Sequence, residues 1–137
     1  MLKEILDEFE IGKSVAPNQY SALTLAYIGD CVYELYVRTY LIKDKDYPVN
    51  VLHKTATKYV KASAQADYFR KIEGILTKEE EAVYKRGRNT NSHPPKNAEM
   101  IDYKIATGVE ALIGYTYLKG DTERLMYLLS FLKESST

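Results

Sequence analysis

The chain has 137 residues, and its nineteen basic and nineteen acidic side chains cancel. That length suits one domain over 1–137 with a substantial core, and the balanced charge excludes a global field for capturing polyanions, leaving only local patches. A lone cysteine, Cys31, excludes a disulfide framework and suits a reducing compartment.

The opening stretch MLKEILDEFEIGK interleaves acids with apolar residues, which is unlike a signal peptide and leads to the expectation of a cytoplasmic protein. Leu2, Ile5, Leu6 and Phe9 fall at helical spacing and predict a short amphipathic helix, ended by Val15–Asn18. Tyr20–Ile42 is apolar or aromatic almost throughout and predicts a helix lying deep in the domain, with Ser21 as a candidate cap. Its only Asp, Glu, Lys or Arg residues are Asp30, Glu34 and Arg38, at i, i+4 and i+8 on one stripe. That stripe would be costly in lipid, so no membrane span is expected. Glu34 and Arg38 have the order that favours an i,i+4 pair. Asp30 has no such partner, follows Gly29, and needs a counter-charge if buried. Cys31 reads as a buried structural thiol.

Lys43–Tyr47 and Pro48 close this helix, and Val51–Phe69 then predicts one continuous helix packed through Leu52, Ala56, Tyr59, Val60, Ser63, Ala64 and Ala66. Lys54, Lys58 and Lys61 form a row on another side, ordinarily a solvated face but also able to contact phosphates. His53 beside them has no second His or Cys at metal spacing and reads as a surface residue. Lys71–Leu76 is a connection. Thr77 and Glu80 form a capping-box pattern opening a helix whose last turn carries Lys85, Arg86 and Arg88, as the helix dipole favours. Arg88–Asn97, with His93 and Lys96, contains two prolines and no acid and predicts an exposed loop. Asp102–Leu118 is the second strongly apolar helix, with Ile105, Val109, Leu112, Ile113 and Thr116 on its core face and Lys104, Thr107, Glu110 and Gly114 on a different side. Asp121 or Thr122 caps a last helix, Leu125–Leu132. No alternating run predicts a sheet, so the expected fold is all-α.

Asp30 and Glu110 stand out as carboxylates without a local partner on apolar helices. If those helices cross near Gly29 and Gly108, the two acids converge on one divalent cation. Oxygen-only ligation points to Mg2+, with Mn2+ as a substitute, and such an ion can support phosphodiester hydrolysis. The ordinary alternative is pairing with a base such as Lys104.

LAYIGDCVYELYVR resembles the signature helix of the ribonuclease III family, in which Gly-Asp follows an apolar run. KIATGVEALIGYTYL resembles the family's second acidic helix, in which a Glu precedes an Ala-Leu-Ile-Gly-like sequence. The match covers nearly the whole chain, and its length is closest to the mini-ribonuclease III group, which carries no double-stranded-RNA-binding domain. The resemblance implies an all-helical homodimer that cleaves double-stranded RNA with magnesium, the implied substrate being precursor 23S (large-subunit) ribosomal RNA. An accessory ribosomal protein is a possible further partner. By motif position Asp30 and Glu110 take the roles of the catalytic, metal-binding carboxylates. Ala26 and Thr107 stand where larger relatives often carry acids, so fewer protein ligands and more metal-bound water are expected. Under this reading Lys54, Lys58, Lys61, Arg86, Arg88 and Lys96 are candidate RNA contacts, since duplex RNA is read mainly through its backbone. The competing reading is a catalytically inert RNA-binding or ribosome-associated protein on the same fold.

Overall fold

The computed structural model describes residues 1–90, 93 and 99–136, excepting the side chains of 134–136. Among these residues there are seven α-helices and no strand, as expected for an all-α chain. They are α1 (Leu2–Glu8), α2 (Ala22–Ile42), α3 (Val49–Val60), α4 (Ala62–Ile72), α5 (Lys78–Arg88), α6 (Met100–Leu118) and α7 (Thr122–Ser130). Most of the expected loop Arg88–Asn97, Lys96 included, lies outside the described residues.

The deepest element is α6 rather than α2. Every residue from Ala106 to Tyr117 except Glu110 is buried, because α2, α4, α5 and α7 all pack against this helix. A helix apolar on every side has no face to offer water. By contrast, α2 is buried on one side only, through Leu25, Ala26, Gly29, Val32, Tyr33 and Val37. Leu23, Tyr27, Asp30, Cys31 and Leu35 are exposed on its other side, so Cys31 is a surface thiol and not the buried one its apolar neighbours suggest.

The predicted helix Val51–Phe69 is two helices. Lys61, with φ −63° and ψ 155°, is extended and serves both as the end of α3 and the start of α4. The break is stabilised by side chains that accommodate the terminal carbonyls of α3. Tyr33 Oη donates to the Tyr59 carbonyl at 2.8 Å, and Gln65 Nε2 donates to the Val60 carbonyl at 2.9 Å. The turn also shifts the register of α4. Gln65, Ala66 and Tyr68 become buried while Ser63 faces solvent.

Side-chain caps fix the starts of α2, α5 and α7 at residues the sequence singles out. Ser21 Oγ accepts from the Thr24 N–H, and Asp121 Oδ1 accepts from the Arg124 N–H, each at 3.1 Å. In the capping box, Thr77 Oγ1 accepts from the Glu80 N–H at 3.1 Å while Glu80 Oε1 accepts from the Thr77 N–H at 2.9 Å. Glu80 also locks α7 onto α5. Arg124 Nε and Nη2 donate to its two oxygens at 2.9 and 2.8 Å, and Nη2 donates to the Ile75 carbonyl at 2.8 Å.

The close approach of α2 to α6 sets the position of the site. Gly29 lies against the Glu110 carbonyl and the Gly114 nitrogen, and Gly114 lies against the Leu25 carbonyl. A Cβ at either position would overlap the opposing backbone. The crossing pair is therefore Gly29 with Gly114. Gly108, the expected partner, instead meets Tyr84 of α5.

Burial pushes the Glu80 carboxyl up, but the Arg124 and Thr77 hydrogen bonds and the Arg124 charge outweigh it and hold it below its ordinary value of 4.5. Its stabilising contribution is thus fully present above about pH 4.5 and is lost as pH falls through the depressed folded value. Glu80→Ala should cost about 2–4 kcal/mol at neutral pH, combining a lost cap with an uncompensated arginine. Urea denaturation measures this, and the gap from wild type should narrow in acid.

Candidate metal centre

Asp30 projects from the exposed side of α2 one residue beyond the crossing glycine, and Glu110 from the one incompletely buried position in the middle of α6. The crossing brings the two side chains within hydrogen-bonding reach of each other. Among the described residues neither forms an ion pair; the expected alternative partner, Lys104, is not paired with Glu110. Glu34 adds more negative charge near Glu110, although its own carboxylate is engaged by Arg38 Nη2 at 3.2 Å.

Two further side chains complete the surroundings of Glu110. The Tyr33 phenol is pushed well above its ordinary pKa, first by burial and then by the Glu110 charge, so it stays protonated and donates to Tyr59. Gln65, only 3% exposed, directs Nε2 toward Glu110 Oε2 at 3.4 Å while holding the Val60 carbonyl. Its Oε1 is buried and has no hydrogen-bond partner among the described residues. Nothing in the sequence pattern singles out Gln65. A buried glutamine in an alanine-rich turn becomes conspicuous only once the break at Lys61 is seen.

The electrostatics follow from this arrangement. Burial and then the Asp30 charge push the Glu110 carboxyl up to about 8, only partly opposed by the Gln65 amide. A pair of oxygens that cannot comfortably carry both negative charges, with an unsatisfied carbonyl oxygen beside it, fits a hard divalent cation. No cluster of three or more His, Cys, Asp or Glu residues with metal-holding geometry occurs among the described residues. The donor set thus suits an ion that keeps much of its water, such as Mg2+, and lacks the N and S donors of a zinc site.

The described basic candidates come from α3, the α3–α4 break and α5. Lys54 and Lys58 are exposed on α3, and Lys61 is exposed at the α3–α4 break, next to the Val60 carbonyl that Gln65 holds. Arg86 is tied to the segment before α2, donating to the Asn18 and Tyr20 carbonyls at 3.1 and 2.8 Å. The Arg88 guanidinium lies 5.8 Å from the Tyr84 ring centre and donates to Asn89 at 3.2 Å. It opens onto a cleft of about 440 Å³ whose lining includes Phe69, Arg70, Tyr84, Lys104 and Ile105. This cleft adds two cations, Arg70 and Lys104, to the α4–α6 side of the domain; Arg70 is paired with Asp67 at 2.6 Å.

Residues 23–121 match the family model of the ribonuclease III domain. Curated proteins named Mini-ribonuclease 3 are similar over most of the chain. That of Thermoanaerobacter sp. (strain X514) is 51% identical over 80% of this chain and 78% of its own. The protein from Clostridium tetani is 50% identical over 84% and 78%, and that from Enterococcus faecalis 47% identical over 83% and 89%. Among solved structures, a crystal structure of a Fusobacterium nucleatum protein superposes with a TM-score of 0.79 at 30% identity, covering 86% of this chain and 95% of that one.

The raised carboxyl makes a stability prediction for the metal-free protein. Unfolded, Glu110 loses its proton near 4.5, whereas folded it keeps it to about 8. Its contribution is therefore fully present below pH 4.5 and lost as pH rises toward 8. Without divalent ions, Glu110→Gln should melt at least about 3 °C above wild type at the upper end of this window, the shift that roughly 1 kcal/mol gives in a domain of this size. The two melting temperatures should converge toward the acid end.

Proposed function

Because this chain belongs to the ribonuclease III domain family, we propose that it is a divalent-metal-dependent endoribonuclease that hydrolyses phosphodiester bonds in double-stranded RNA. The observation carrying this reading is the meeting of Asp30 and Glu110 with no basic residue paired to either among the described residues. Asp30 and Glu110 are the catalytic carboxylates and hold the ion, Mg2+ or in its place Mn2+. When bound, such an ion supplies an activated water and offsets the charge that builds on the phosphate. The chain's own contribution is to position and to exclude. The α2–α6 crossing fixes Asp30 beside Glu110, Gln65 orients the Glu110 carboxyl, and Tyr33 stays protonated near Glu110 while holding the Tyr59 carbonyl.

RNA is held by its backbone. Lys54, Lys58 and Lys61 are the strongest phosphate contacts in this reading, because they are exposed and form no ion pair among the described residues. Arg88 contributes from the neighbouring cleft, and Arg86 chiefly by holding the segment before α2. Lys96 belongs to the same proposed surface and lies outside the described residues.

The chain works as a homodimer. The exposed side of α2 carries Leu23, Tyr27 and Leu35, which are 49, 81 and 43% exposed, beside Asp30. An apolar stripe at i, i+4 spacing suits a second copy of the same helix packed across a two-fold axis. The finer assignment, precursor large-subunit ribosomal RNA matured in the cytosol, with a ribosomal protein as accessory partner, is supported by the resemblance to the mini-ribonuclease III group. No described helix is long and apolar enough to cross a membrane.

Incubation of long duplex RNA with the protein and Mg2+ should give cleavage that is lost on chelation. Asp30→Asn and Glu110→Gln should each lower the rate at least about 100-fold while leaving duplex binding within about threefold of wild type. An uncut duplex, still bound with a steep salt dependence, would leave the inert RNA-binding reading in its place. Light scattering should give twice the 15.7 kDa mass of one chain, and a monomer at working concentrations would remove the dimer.

A further inference from the structure

The reading of Asp30 and Glu110 as an ion-binding pair leaves one neighbouring group unused. Gln65 begins the buried side of α4, is 3% exposed, and spends its amide nitrogen on the Val60 carbonyl at 2.9 Å and on Glu110 Oε2 at 3.4 Å. Its orientation is fixed by chemistry. A flipped amide would set Oε1 against the Val60 carbonyl, an acceptor facing an acceptor. Oε1 therefore points away from Val60. It is one amide-width from the nitrogen that reaches Glu110, and it is buried without a donor among the described residues. A buried acceptor left unsatisfied costs about 1–3 kcal/mol. Apolar side chains of the same length would avoid that cost and still fill the space.

We propose that Gln65 is the third oxygen donor of the centre, its amide nitrogen anchored by Val60 and Glu110 and its free Oε1 completing the donor set for the divalent ion. The inference rests on the ion-binding reading of Asp30 and Glu110 and adds to it a neutral donor from a third helix. An amide carbonyl is a hard oxygen suited to Mg2+ or Mn2+. Being uncharged, it adds no repulsion to a pair that already shares excess negative charge. It also gives the break at Lys61 a functional consequence. If α3 and α4 formed one helix, the Val60 carbonyl would be hydrogen-bonded within that helix, and the amide would lose the anchor that keeps Oε1 from facing Val60.

Isothermal titration of Mn2+ into the full chain without RNA, at neutral pH, tests this independently of turnover. Gln65→Met keeps the length and apolar volume but removes the oxygen, and should weaken Mn2+ binding at least about tenfold, as loss of a group in or beside a coordination sphere commonly does. Gln65→Glu keeps an oxygen at that place and should bind Mn2+ within about threefold of wild type or more tightly. If Gln65→Met does not fold by circular dichroism, Gln65→Asn, which withdraws the amide by one methylene, should show the same loss. Unchanged affinity in Gln65→Met overturns the proposal, since a trapped water would then satisfy Oε1. Equal weakening in Gln65→Met and Gln65→Glu also overturns it, by making the amide N–H the part that matters. Asp30→Asn separates the levels. If it loses Mn2+ binding while Gln65→Met keeps it, only the role of Gln65 fails; if it binds Mn2+ as wild type does, the ion-binding reading itself fails.

Discussion

The site depends on two helix backbones coming together with no side chain between them. Gly29 on α2 and Gly114 on α6 leave room for the opposing carbonyl groups, and this contact places Asp30 and Glu110 side by side. Each glycine costs about 1 kcal/mol of helix propensity relative to alanine. The cost is offset by burial of α6 from Ala106 to Tyr117, where four other helices enclose it. Two acids are thereby held together by a rigid crossing rather than by attraction to a base. Such a pair opposes the fold when both members are charged, and a cation held between them would remove that opposition.

The rest of the domain keeps that crossing in place and leaves its outer side open. Far from the acids, Glu80 and Arg124 fasten α5 to α7 with hydrogen bonds to both carboxylate oxygens, so that charge pair is neutralised within the fold. At the site, no such neutralisation occurs among the described residues. Tyr33 and Gln65 supply hydrogen-bonding groups without charge, and both also hold the end of α3, where Lys61 turns the chain. The same turn that ends one helix thus supplies a polar group to the centre. On the outer side, α2 shows apolar residues flanking Asp30, the surface we propose meets a second copy.

Much of this is legible in the sequence because it depends on local chemistry. Asp30 and Glu110 are conspicuous because their neighbours are apolar, and Ser21, Thr77 and Asp121 cap helices through hydrogen bonds that span only three residues. What the sequence hides is set by other elements. The break at Lys61 depends on Tyr33 and Gln65 reaching the ends of α3, and no periodicity within Val51–Phe69 encodes that. The crossing register, Gly114 in place of Gly108, is a property of how two helices nest. Both strongly apolar helices look equally deep on composition, yet only α6 is enclosed, which is why Cys31 and Tyr27 emerge at the surface of α2. Arg86 carries the same charge as its neighbours, and it is the fold that brings it to two backbone carbonyls.

We propose that the two carboxylates at the α2–α6 crossing share one hard cation. Anomalous diffraction from crystals soaked in Mn2+ measures it directly. The expected result is a single strong peak per chain, within about 2.0–2.6 Å of a carboxylate oxygen of both Asp30 and Glu110. A well-ordered site with no peak there, and Asp30 hydrogen-bonded to a protonated Glu110 at saturating Mn2+, would contradict it.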